Sequence, residues 1–219
     1  MGLELVDAFP VGPLQCNCSI VADLETKEAL VIDPGDEADR VLTALSSNGL
    51  KAVGLLHTHA HLDHVGVSAL LSRVTGAPLL LHEGDVPLYE ALDRQAALFG
   101  FEIEPPGEVT RFLAHGERVR CGGSALEVIA TPGHTPGSVC FRMEGDRPML
   151  FSGDTLFRRS IGRTDLWGGS LPTILSSIKD RLLTLPGDLS VLPGHGDPTT
   201  VAEEARLNPF VGERAAPLV

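Results

Sequence analysis

Basic residues are scarce in this sequence, with 17 Lys and Arg against 29 Asp and Glu and a formal net charge of −12. Nucleic-acid binding rests on cations meeting phosphates, so this balance argues against a nucleic-acid partner and against a nuclease. A small anionic substrate stays open, because a bound dication dominates its local field whatever the net charge. Long apolar runs are missing too. No stretch approaches the roughly 18 residues needed to span a bilayer, so no membrane partner is expected. The opening Gly2-Leu3-Glu4-Leu5-Val6-Asp7 has no basic segment ahead of an apolar one, which gives no sign of secretion and makes a cytoplasmic protein the expectation. Four cysteines, Cys16, Cys18, Cys121 and Cys140, are too few and too scattered for a disulfide scaffold. Small buried side chains are the expected role, including for the Cys16-Asn17-Cys18 pair.

What remains is globular. A chain of 219 residues that is 43% hydrophobic can bury a real core, and it shows no repeat, low-complexity tract or linker. One domain over residues 1–219 is therefore expected. Strand patterns occur at Leu3–Phe9, Cys16–Asp23, Ala29–Ile32, Lys51–His57, Pro78–His82, Arg118–Arg120, Leu126–Thr131, Ser138–Met143, Met149–Ser152 and Leu189–Leu192. Helical spacing occurs over Asp36–Ser47, Asp63–Val74, Asp85–Leu98, Pro172–Leu185 and Thr200–Leu207, and Phe101–Gly107 reads as a loop. Strands, helices, strands and helices in this order predict an α+β fold, a four-layer αββα sandwich.

Chemistry concentrates in Thr58-His59-Ala60-His61-Leu62-Asp63-His64, straight after the apolar run that ends at Leu56. Neutral imidazole and ionised carboxylate are good ligands for zinc or a similar ion. Four such groups buried together without a cation would leave lone pairs unpaired. Pro132-Gly133-His134, Ser152-Gly153-Asp154 and Pro193-Gly194-His195 each follow a predicted strand as well. Any one of these alone reads as a solvated loop. Together they point to one site, with strand ends converging at one edge of a sheet.

The HxHxDH segment, the later lone His, the Asp and the final His resemble the metallo-β-lactamase superfamily. That resemblance implies one metal held by His59, His61 and His134. It implies a second metal held by Asp63, His64 and His195, with Asp154 bridging. The ions implied are two divalent cations, zinc first, with iron or manganese as options. Phe151-Ser152-Gly153-Asp154-Thr155-Leu156-Phe157, Gly162-Arg163-Thr164-Asp165 and Leu192-Pro193-Gly194-His195-Gly196 are similar to the glyoxalase II (hydroxyacylglutathione hydrolase) branch. The 162–165 element also resembles persulfide dioxygenases, which use a single iron. Full-length glyoxalase II enzymes continue into a helical glutathione-binding domain. Here only residues 196–219 follow His195, so the chain resembles the compact, single-domain members.

The resemblance implies hydrolysis of a small acyl thioester by hydroxide generated between the two metals, with Asp63 orienting the nucleophile as well as binding metal. A mononuclear-iron persulfide dioxygenase is the first alternative, and action on another ester or lactam is the second. A thiolate can depart without a general acid, since a thiol has a pKa of about 8.5. Arg163, Arg159 and Trp167 are candidate substrate residues. Surface charge is the competing reading for the arginines, as it is for Arg158, and core packing competes for Trp167. His57 and His82 read as packing or supporting residues, and His115 as a solvated turn residue.

Overall fold

The computed structural model describes residues 2–101, 103–213 and 215. Two six-stranded sheets face each other. The first runs in the order β1 (Glu4–Val11), β2 (Cys16–Asp23), β3 (Glu28–Ile32), β4 (Lys51–Leu56), β5 (Leu79–His82) and β6 (Arg111–Leu113). Its first three strands are antiparallel, and β3 to β6 are parallel. The second sheet contains β7 (Arg118–Cys121), β8 (Ser124–Ala130), β9 (Val139–Met143) and β10 (Met149–Gly153). After a two-stranded ribbon, β11 (Leu156–Phe157) and β12 (Ser160–Ile161), it is completed by β13 (Ser190–Pro193) and β14 (Thr199–Thr200).

Strand side chains alternate between faces, and here both faces are covered, so the strands read as nearly continuous apolar runs. Val21, Leu30, Ile32 and Leu56 point inward against Leu126, Val128, Phe141 and Phe151 of the other sheet. Their neighbours Ile20, Val31 and Leu55 point outward, beneath α1 (Ala38–Ser47) and α3 (Ser68–Thr75). On the far side, Cys140, Leu150 and Val191 lie under α6 (Leu171–Ser177) and the π-helical turn Ile178–Leu182 that continues it. The result is the αββα sandwich expected from the sequence.

The differences from expectation have local causes. The helix expected over Asp63–Val74 is two helices, α2 (Leu62–Val65) and α3. At the break the Val67 N–H turns out of the helix to the Pro34 carbonyl, 3.3 Å away. Asp85–Leu98 is likewise divided, at Ala91, into α4 (Val86–Glu90) and α5 (Leu92–Phe99). β6 was not anticipated: three residues with Arg111 and Phe112 exposed carry no readable alternation, and a short charged strand suits a sheet edge. A last helix, α7 (Val201–Leu207), follows β14, its Thr200 side chain accepting from the Glu203 N–H. Among the described residues no helix is long and apolar enough to cross a membrane.

All four cysteines are free and buried. Burial pushes the Cys16 and Cys140 thiols up to about 12 and Cys121 up to about 11. The nucleophile is the thiolate, so these thiols should resist attack. In the native protein at pH 8, Ellman's reagent should titrate none of them within minutes. In guanidinium chloride it should titrate all four.

Candidate metal centre

Each candidate ligand leaves the end of a strand, but the strands belong to different sheets. The loop after β4 carries His59, His61, Asp63 and His64, while His134 follows β8, Asp154 follows β10 and His195 follows β13. The expectation of one sheet edge is thus replaced by one end of the whole sandwich. Backbone bonds hold the two rims together: Val139 N–H to the Thr58 carbonyl at 2.8 Å, and Asn17 N–H to the Gly194 carbonyl at 2.7 Å. Gly194 has to be glycine. A Cβ there would lie 2.3 Å from Asp154 Oδ1 and 2.8 Å from His64 Cε1. Gly133, before His134, sits at φ +135° with the Ile174 N–H where its Cβ would be.

Two groups of three ligand atoms result. His59 Nε2 is 3.0 Å from His61 Nδ1, and His134 Nε2 is 3.2 and 2.9 Å from those two atoms. In the second group Asp63 Oδ2 lies 3.0 Å from His195 Nε2 and 3.6 Å from His64 Nε2. Asp154 stands between the groups. Its Oδ1 is 3.5 Å from His64 Nε2 and 3.7 Å from His195 Nε2, while its Oδ2 is 3.7 Å from His134 Nε2.

The outer hydrogen bonds determine which ring nitrogens carry protons. His134 Nδ1 donates to the Arg163 carbonyl at 2.7 Å, and His195 Nδ1 to the Gln15 carbonyl at 3.3 Å. His64 Nδ1 donates to Asp33 Oδ2 at 3.0 Å. The Thr58 hydroxyl gives its proton to Asp33 Oδ2 at 2.7 Å, so it accepts from His59 Nδ1 at 3.1 Å. Every one of these rings therefore commits its Nδ1 proton outward and aims Nε2 into the centre. Lone pairs about 3 Å apart repel unless a cation lies between them, and ~3.3 Å is the N···N spacing around tetrahedral zinc. His64 Nε2 and Asp154 Oδ1 are also buried with no hydrogen-bond partner. The donor set fits metal ions.

Protonation follows the same pattern. Burial, with the crowding of His64 and His134, holds His59 well below the usual imidazole range. Burial and then His134 push His61 down to about 3. Burial opposes charge on His64, yet the carboxylates of Asp63, Asp33 and Asp154 outweigh it and raise its proton affinity. Burial would raise the Asp63 carboxyl, but His64 and His195 hold it below the carboxylate range. In this half a dication would take the place of the proton.

Two supporting carboxylates were missed. Asp33 accepts from the Thr58 N–H at 2.7 Å besides the two contacts above, and so ties His59 to His64. Its φ of +52° suits Asp, which tolerates the left-handed region better than most residues. Buried Asp85 accepts from the Ala60 N–H at 3.0 Å, the Thr135 hydroxyl at 2.8 Å and the Gly137 N–H at 2.6 Å, joining the His59–His61 loop to the His134 loop. Asp33-Pro34-Gly35 was visible as a strand end, whereas Asp85 carried no signal. Cys16 Sγ lies 3.5 Å from His64 Nδ1, a neighbour that spacing alone could not reveal.

The other candidates separate. The Arg163 guanidinium is exposed and pairs with Asp165 through two 2.8 Å contacts, while its carbonyl holds His134. Arg159 pairs with Glu203 at 2.8 Å, and Arg158 with Asp197 at 3.3 Å. Trp167 is 57% exposed, which overturns core packing. His57 is buried between the Leu80 carbonyl and the Ser68 hydroxyl, His82 accepts from the Gly84 N–H, and His115 is an exposed turn residue.

The chain belongs to the metallo-beta-lactamase superfamily, whose family model matches residues 11–195. It is 39% identical to the hydroxyacylglutathione hydrolase GloC of Haemophilus influenzae over 212 residues, covering 96% of this chain and 99% of that protein. It is 33% identical to the human mitochondrial persulfide dioxygenase ETHE1 over 214 residues, covering 90% of this chain and 72% of that protein. Among solved structures, the B3 metallo-beta-lactamase BLEG-1 superposes with a TM-score of 0.86 at 36% identity, covering 94% of this chain and 98% of that one. A di-iron-bound form of TTHA1623 superposes with a TM-score of 0.85 at 42% identity, covering 94% of this chain and all of the other.

Proposed function

We propose that this protein is a dinuclear metal-dependent hydrolase of small acyl thioesters, similar in activity to hydroxyacylglutathione hydrolase. The observation that carries the reading is Asp154, with one oxygen toward each three-ligand group. The match to GloC over nearly the full length of both chains supports the substrate class. His59, His61 and His134 would hold one ion, and Asp63, His64 and His195 the other, with Asp154 shared. Bound there, divalent ions supply an acidified water near neutral pH and polarise a carbonyl oxygen.

The protein's own residues do the rest. Asp63 stays ionised beside His64 and His195 and, from its partly exposed position, orients the attacking water. Asp33 holds the Nδ1 proton of His64, and the Arg163 carbonyl that of His134, so neither ring turns. The thiolate leaves unaided.

The match to ETHE1 and the seating of Gly162-Arg163-Thr164-Asp165 against His134 favour persulfide dioxygenase as the second reading. Protein purified without added metal should carry about two ions per chain and hydrolyse S-lactoylglutathione. One iron per chain, with oxygen uptake on glutathione persulfide and no hydrolysis, would overturn the first reading in favour of the second.

A further inference from the structure

Beside the ligand cluster lies a cavity of about 420 Å³, within the range of small-ligand pockets. Asp63 forms part of its wall, so the cavity adjoins the cluster at that ligand. The turn between β1 and β2 contributes Pro13 and Leu14, and the same turn supplies the Gln15 carbonyl that holds His195. Val67 and Leu70 come from the start of α3, and Ile103 from the segment after α5.

The wall is apolar apart from carboxylates. Asp36, Asp63 and Glu104 line it, with no Lys, Arg or His among the lining residues. Asp36 is engaged by the Glu37 N–H at 2.6 Å, and Glu104 takes two contacts from Arg73, at 2.9 and 3.1 Å. An anionic group entering here would meet like charge and no free cation. An aliphatic chain would instead remove the apolar side chains of Pro13, Leu14, Val67, Leu70 and Ile103 from water. The other flank of the centre, where Arg163 and exposed Trp167 stand, is left for a larger and more polar carrier.

Resting on the thioester hydrolase reading, we propose that this cavity receives the acyl group of the substrate and selects an uncharged aliphatic chain of several carbons. The test uses acetyl, butyryl and hexanoyl thioesters of N-acetylcysteamine, an uncharged carrier, with the metal-loaded protein. kcat/KM should rise about fourfold per methylene, on the order of 200-fold from acetyl to hexanoyl. Leu70→Trp fills the cavity, and Leu14→Asp puts a charge in its wall from an exposed turn. Both should bring the hexanoyl-to-acetyl ratio close to one.

A flat ratio in the unaltered protein overturns the proposal, as does a steep ratio that both variants leave intact. Calorimetry with the S-hexyl and S-ethyl thioethers of the same carrier separates this inference from the activity it rests on. Tighter binding of the hexyl compound, lost in the variants, upholds the cavity even if no thioester is hydrolysed. Hydrolysis without dependence on chain length rejects the cavity and leaves the hydrolase.

Discussion

Asp154→Ala should lose both metal and turnover. The carboxylate spans the two ligand groups, with Oδ1 3.5 Å from His64 Nε2 and Oδ2 3.7 Å from His134 Nε2. Its removal leaves each group one donor short and takes away the only residue common to both. Thiolester hydrolysis should fall by at least about 10³-fold, the scale on which removing one catalytic element acts. Bound metal, measured by plasma emission after gel filtration, should drop from about two ions per chain to one or none. His134→Ala should give the same pairing of losses. Full activity with full metal in either variant would sink the assignment of this centre. Folding should survive Asp154→Ala, because the lost side chain bonds to no backbone group and its Oδ1 has no hydrogen-bond partner.

Asp33→Ala should act differently, lowering stability as well as metal affinity. Asp33 is nearly inaccessible and accepts three hydrogen bonds, from the Thr58 N–H, the Thr58 hydroxyl and His64 Nδ1. Truncation leaves the amide and the ring N–H unpaired in the interior, at about 1–3 kcal/mol each. It also places alanine at a φ of +52°. A loss of about 3–4 kcal/mol is expected, which for a chain of this size lowers Tm by roughly 10 °C. Free of its acceptor, His64 can change tautomer, and metal affinity should fall about 10–100-fold. Thermal unfolding in excess chelator isolates the first effect, and competitive metal titration measures the second. An unchanged Tm together with unchanged affinity would refute the role given to Asp33. Asp33→Asn, which keeps the backbone preference, should recover part of the Tm but little of the affinity, because its amide NH₂ meets donors.

Sequence reasoning reached far here because the chemistry is written in local units. Thr58–His64 places four candidate ligands within seven residues, and the Pro-Gly-His turns announce themselves by composition. Short apolar runs such as Cys16–Asp23 and Ala29–Ile32 gave the strands, and helical spacing gave the outer layers. Helix continuity was less legible. Val67 belongs to the periodic pattern of Asp63–Val74, and only the Pro34 carbonyl beside it draws its N–H away.

The supporting groups were harder still. Asp85 lies 25 residues from Ala60 and 50 from Thr135, yet it bonds both. Nothing in its neighbourhood in the chain signals this, because its partners are backbone and hydroxyl groups that occur everywhere. Arg163 shows the reverse case. Its type suggested a substrate anchor, while the structure engages its guanidinium with Asp165 and uses its carbonyl to hold His134.

By itself the sequence determined the superfamily, the layered architecture and the identity of the seven candidate ligands, because ligand chemistry and side-chain periodicity are properties of residue type and spacing. Tertiary structure alone decided that those ligands come from both sheets and that Asp154 turns one oxygen to each group. It alone decided which ring nitrogens keep their protons, and that an acidic, apolar cavity opens beside Asp63. These depend on distances between segments that lie far apart in the chain, up to the 180 residues between Gln15 and His195, and that meet only when the sheets and their loops pack.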